Sequence, residues 1–206
     1  MHLPKKGLRA LGIAESFSGR TCSTLAGVVM RKDLLIDGFT FGRIMVGGMD
    51  ATDTILGMVR DRDRLDINVI MLSGCVIAWF NILDPARIFR ETDVPVICIS
   101  YEESEGLVAD IRHHFPGDEK RVTAYCYLGE RIPVILPSNL TIFIRAWGLN
   151  ETDAAQLCNN FTLGGKIPEP LRVAWLCSRA LIHSKPGWSL PLPDTMDCPE
   201  ERIHKY

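Results

Sequence analysis

The chain has 206 residues, with 23 Lys and Arg against 25 Asp and Glu and 5 His, for a formal charge of −2, and is 47% hydrophobic and 23% charged. This balance excludes disordered and fibrous classes, and the length suffices for one large domain that buries roughly 70% of its unfolded surface. A pI near 6.2 excludes binding to nucleic acid through a diffuse positive field, so a partner of that kind would need a local basic groove.

The basic opening, Met1 to Ala10, has no long apolar stretch behind it. No later segment reaches the ~20 apolar residues of a membrane span, so a soluble cytoplasmic protein without membrane partners is expected. The apolar runs Leu8 to Ala14, Ser23 to Met30 and Leu34 to Val46 follow one another across short connections, including the polar turn Arg31-Lys32-Asp33. Such connections join only antiparallel neighbours, so three strands in meander order are predicted. Gly47-Gly48 breaks the pattern, and a helix with Ile55, Met58 and Val59 on one face opens at Asp50-Ala51-Thr52-Asp53.

Beyond the charged run from Arg60 to Asp66, the blocks Val69 to Leu72 and Pro95 to Ile99 read as buried strands, with a short helix from Asp84-Pro85 between them. Short apolar blocks alternating with helical patterns indicate parallel strands joined by crossovers. Leu107, Val108 and Ile111 predict a helix ending near His113-His114. Val122 to Tyr127 and Ile132 to Leu136 predict two more strands. Asn150 to Asn160 and Pro168 to Ile182 predict helices, the second with prolines in its first turn, where a missing donor does no harm. Its run Leu171 to Cys177, apolar nearly all round, is expected to pack on the sheet. The organisation expected is one α/β domain over 1–183 and a proline-rich surface tail over 184–206.

The seven cysteines, at 22, 75, 98, 126, 158, 177 and 198, show no zinc-knuckle or redox-dithiol spacing. Most are expected to be small buried hydrophobes in a reducing compartment. Ligands of α/β folds gather at the C-terminal edge of the parallel strands. Three segments could meet there: Ala14-Glu15-Ser16, Ser73-Gly74-Cys75 and Ser100-Tyr101-Glu102-Glu103. A magnesium site needs oxygen ligands converging from separate elements, and Glu15 with Asp50 or Asp53 is the best-placed set.

Each candidate has a plainer reading. Asp50 and Asp53, three apart at a helix start, approach a capping box and favour the helix dipole. Glu15 could be solvated at the loop mouth, and Glu102, Glu103 and Glu105 could be a solvated first helical turn. His113 and His114 point to different helix faces and cannot share a metal. Arg172 sits near a helix start, where the dipole disfavours a cation unless an acid or a bound phosphate offsets it.

The strings Leu11-Gly12-Ile13-Ala14-Glu15-Ser16, Gly47-Gly48-Met49-Asp50-Ala51-Thr52-Asp53, Leu72-Ser73-Gly74 and Ile167-Pro168-Glu169-Pro170-Leu171-Arg172-Val173-Ala174-Trp175 together resemble one family. It is the mostly archaeal Domain of Unknown Function 99 family, similar to endonuclease V. The resemblance runs from about Gly7 to Ile182 and implies a ribonuclease H-like mixed sheet, three antiparallel strands followed by parallel ones, flanked by helices. Endonuclease V cleaves strands near deaminated bases with a carboxylate-held divalent metal. Carried over position by position, its first aspartate falls on Ala14, with Glu15 adjacent. Its helix glutamate falls near Asp50 or Asp53, its second aspartate on Ser73 and a lysine on Tyr101. The acidic or imidazole group after the Pro-Glu-Pro motif falls on Trp175, and the wedge that probes the damaged base has no counterpart in Gly42 to Gly48.

Losing two anionic ligands removes most of the charge that holds a divalent ion. The first reading is therefore a nucleic-acid or protein binding relative without robust metal-dependent cleavage, using a local groove around Arg43, Lys166 and Arg172. The second is a Mg- or Mn-dependent endonuclease with carboxylates re-sited on Glu15, Asp50 and Asp53, with Glu102 as a further candidate. The third is a small-molecule or nucleotide-binding protein using the Ser73-Gly74 turn; the candidate ligand-binding residues overall are Ser73, Gly74, Tyr101 and Arg172.

Overall fold

The computed structural model describes residues 7–60 and 66–183. The tail expected over 184–206 and most of the charged run after Arg60 lie outside the described residues. Strands β1 (Arg9–Ser16), β2 (Cys22–Arg31) and β3 (Ile36–Met45) form the antiparallel meander, with Ala14 opposite Ala26 and Leu25 opposite Gly42. On its other side β1 pairs in parallel with β4 (Val69–Ser73), and β4 with β7 (Val96–Ser100). Both β4 and β7 are short apolar blocks buried on their two faces, as central parallel strands must be.

Among the described residues the sheet has seven strands in the order β3-β2-β1-β4-β7-β9-β8. Its far edge differs from expectation. Thr141–Trp147, for which the periodicity above assigns no element, is strand β9, antiparallel to β7 and to β8 (Ile132–Ile135). The sheet therefore returns to antiparallel pairing after its parallel centre. Two-residue strands β5 (Val76–Ile77) and β6 (Asn81–Ile82) make a separate hairpin directly after β4.

The helices are α1 (Ala51–Arg60), α2 (Pro85–Thr92), α3 (Val108–His114), α4 (Glu119–Cys126), α5 (Glu151–Phe161) and α6 (Glu169–His183). Of the predicted strand Val122 to Tyr127, residues Val122 to Cys126 are instead the greater part of α4 and Tyr127 is its C-cap. Its β-branched and aromatic residues favour a strand only weakly. Asp118 overrides them by accepting the Arg121 N–H at 3.1 Å as N-cap.

The core divides into two halves across the sheet. Ile70 and Leu72 of β4 join Ile55, Ile88, Ile111 and Val122 beneath α1 to α4, whereas Val69 and Met71 join Leu157, Phe161 and Leu171 beneath α5 and α6. Alternation along a strand sends successive side chains to these opposite halves. Helix α6 lies on β1, where a Cβ on Gly12 would stand 2.5 Å from the Pro170 backbone. Its apolar run splits: Leu171 and Ala174 are buried, Trp175 and Leu176 exposed.

Among the described residues five cysteines are free; Cys75, Cys98 and Cys158 are buried, Cys177 is half-buried and Cys126 is exposed at the end of α4. No helix among the described residues is long and apolar enough to cross a membrane.

Candidate functional site

Parallel pairing aligns Ile13 with Leu72 and Leu72 with Cys98. The ends of β1, β4 and β7 thus share one edge, and the three segments expected to meet do so. They do not face the same way. Ala14 packs against Ala174 of α6, and Ser73, two residues past Met71, belongs to that same face. Glu15, two past Ile13, turns to the α1 face. There one carboxylate oxygen accepts a short hydrogen bond from the Ser23 hydroxyl and the other accepts the Ala78 N–H at 3.3 Å.

Tyr101 packs into the α5 and α6 half of the core. Burial pushes its phenol up to about 12, with the nearby Ser73 hydroxyl pulling the other way. Among the described residues the Tyr101 hydroxyl nevertheless makes no hydrogen bond of good geometry. Gly74 turns the chain off β4 at φ +94°.

Asp50 precedes α1, yet its carboxylate turns away from the helix. It accepts the Met45 N–H at 3.0 Å and the Asn81 side-chain amide at 2.6 Å. The capping role expected of Asp50 passes to Asn81, whose Oδ1 accepts the first helical N–H, that of Ala51, at 3.3 Å. Asp53 is two-thirds exposed and braces α1 to α2 through Arg87 at 2.8 Å.

The basic residues are largely occupied. Arg172 forms a bidentate pair with Glu169 at 2.6 to 3.0 Å, so an acid offsets the cation at the helix start. Lys166 donates to the Tyr101 carbonyl at 3.0 Å and pairs with Glu102 at 3.3 Å. Arg43 is exposed on β3. Glu102, Glu103 and Glu105 lie in irregular chain ahead of α3, not in a first helical turn.

Sequence reasoning missed the hairpin between β5 and β6. Its three loop residues, Ala78, Trp79 and Phe80, all lie in the left-handed region at φ 40°, 59° and 61°. Arg121, 5% exposed, holds it: the guanidinium donates to the carbonyls of Gly47, Gly48 and Phe80 and to Asp118, and lies 4.0 Å over the Phe115 ring. The adjacent Asp118-x-x-Arg121 spacing was the available signal, but nothing local marks that arginine as buried.

The divalent ion that the resemblance implies needs carboxylate oxygens aimed at a common point. Here the oxygens of Glu15 and Asp50 are aimed at protein donors and Asp53 at Arg87. Among the described residues no three His, Cys, Asp or Glu side chains come together as a metal-holding group. The recess between Glu15 and the Ser73-Gly74 turn encloses about 10 Å³, barely one water. These residues do not fit the ion. A larger cleft of about 770 Å³ lies between α2 and α4, bordered by Leu83, Arg90, Lys120, Tyr127 and Trp147.

A family model described as endonuclease dU matches residues 6–182. A UPF0215 protein of Pyrobaculum calidifontis is 38% identical over 171 residues, covering 81% of this chain and 92% of the relative. The crystal structure of an Archaeoglobus fulgidus protein is similar at a TM-score of 0.76 and 30% identity, over 86% of this chain and 99% of that one. Ciona intestinalis endonuclease V, in complex with a 24mer DNA containing an inosine followed by a ribo-adenosine, is similar at 0.60 and 15% identity, over 86% and 87%. At that identity the likeness shows the fold, the endonuclease V-like mixed α/β sheet of ribonuclease H type that the sequence implied.

Proposed function

The chain belongs to the endonuclease dU family, and from that premise we propose that it is a cytoplasmic nucleic-acid-binding member without robust metal-dependent cleavage. One observation carries the second half of this reading. Where the resemblance to endonuclease V sets metal-holding groups, the chain has Ala14, Ser73 and Trp175, and the acid next in sequence, Glu15, points to the opposite face of the sheet. An acid displaced by one residue along a strand cannot substitute for its neighbour, because the side-chain period is two. Without two anionic ligands, a site holds a divalent ion weakly and lowers the pKa of its bound water little.

The first half is supported by the shared edge at which β1, β4 and β7 end and by the DNA held by a protein of the same fold. Exposed Arg43 would contribute phosphate contacts, so binding should weaken with added salt as counterions compete. The test uses labelled strands containing inosine or deoxyuridine, with Mg²⁺ or Mn²⁺. Salt-sensitive binding with no cleavage above background is expected. Cleavage abolished by Asp50→Asn would overturn the non-catalytic reading in favour of re-sited carboxylates. Absence of binding at low salt would overturn the nucleic-acid reading.

A further inference from the structure

Three consecutive non-glycine residues in the left-handed region make an unfavourable loop, since each carries a Cβ that crowds the following carbonyl. Residues held this way persist only where the surroundings over-determine them, and they concentrate at binding sites. The surroundings here are unusually complete. The Ala78 N–H donates to Glu15 and its carbonyl accepts the Gly47 N–H at 2.8 Å. The Phe80 carbonyl accepts from Arg121. Asn81, fully buried, is tied to the Met45 carbonyl at 3.0 Å, to Asp50 and to the Ala51 N–H. The hairpin is thereby fastened to the end of β1, the Gly47-Gly48 turn, the start of α1 and α4.

At the tip of this rigid loop is Trp79, still 50% exposed. Its indole is supported from within the protein by Phe80, edge-on with centroids 5.5 Å apart, and by His114 at 4.8 Å. Gly47 lies alongside, where a Cβ would come within 3.6 Å of the indole. A core residue would bury that ring, and a solvent-facing turn would not need a buried arginine to fix it. The arrangement presents a large flat aromatic surface, already ordered, at the strand edge beside Glu15.

We propose that Trp79 is a base-stacking residue, a platform on which one unpaired nucleobase of a bound strand rests. This rests on the nucleic-acid reading above and specifies which side chain meets the base. An indole fixed before binding loses little conformational freedom on contact, and stacking tolerates any base because each has a π face.

The experiment measures fluorescence anisotropy of the wild-type chain, Trp79→Ala and Trp79→Phe with a labelled single strand and with the same strand made abasic throughout. Trp79→Ala should weaken binding to the base-bearing strand by roughly 5- to 150-fold and leave the abasic strand unchanged, while Trp79→Phe keeps most of the affinity. Circular dichroism and Tm confirm that both variants fold. Equal binding of the base-bearing strand by wild type and Trp79→Ala would overturn the stacking role while leaving the nucleic-acid reading standing. Failure of the wild type to bind either strand would overturn both.

Discussion

Replacing Arg121 by Met keeps the aliphatic stem but removes the guanidinium that joins four partners. Four charge-assisted hydrogen bonds are lost, to Asp118, Gly47, Gly48 and Phe80. At roughly 1.5 kcal/mol each, the low end for bonds to a charged group, the sum is about 6 kcal/mol. The Asp118 side chain is 35% exposed and regains water, which lowers the expected cost to about 4 kcal/mol. For a chain of this size that corresponds to a fall in Tm of roughly 8–16 °C. Urea unfolding followed by circular dichroism measures it as a lower midpoint with an unchanged slope. Arg121→Lys should fall between, because a point charge cannot serve three carbonyls in fixed directions. A loss below about 1 kcal/mol for Arg121→Met would refute the account of this arginine as the clasp of the strained hairpin.

Two further outcomes are expected. Gly12→Ala places a methyl group 2.5 Å from the Pro170 backbone, so α6 must shift on the sheet at a cost of about 1–3 kcal/mol; an unchanged Tm would show that α6 is not seated against β1 as described. Asp118 is held below the usual aspartate range, first by the Arg121 N–H and then by its guanidinium. Its contribution to stability is complete above the unfolded value of about 3.9 and is lost as pH falls through the lower folded value. Asp118→Asn should therefore be less stable than wild type at pH 7, with the difference closing in acid, and a pH-independent difference would contradict this.

Much of the architecture was legible because it rests on local chemistry. The breaker Gly47-Gly48, the cap Asp84 before Pro85, whose carboxylate accepts the Arg87 N–H at 2.9 Å, and the apolar blocks of β4 and β7 announce their elements without help from the rest of the chain. Val122 to Tyr127 misled because strand preference reflects packing context, and here Asp118 capping and the burial of Arg121 decided for a helix. Thr141–Trp147 was missed although Ile142 and Ile144 alternate with half-buried neighbours. Four residues of alternation are weak evidence until a partner strand is known.

By itself the sequence determined the antiparallel meander, the parallel centre of the sheet and the edge where β1, β4 and β7 end, because those elements rest on local apolar patterning. Only the tertiary structure decided what the remaining acids do. Besides the nearer Ser23 and Met45, Glu15 and Asp50 are directed by partners 30 or more residues away, Ala78 and Asn81, and a linear pattern carries no information about which distant donor reaches a carboxylate. The same holds for Trp79. Its role follows from a loop conformation that neighbouring elements impose, and no spacing in the chain records it.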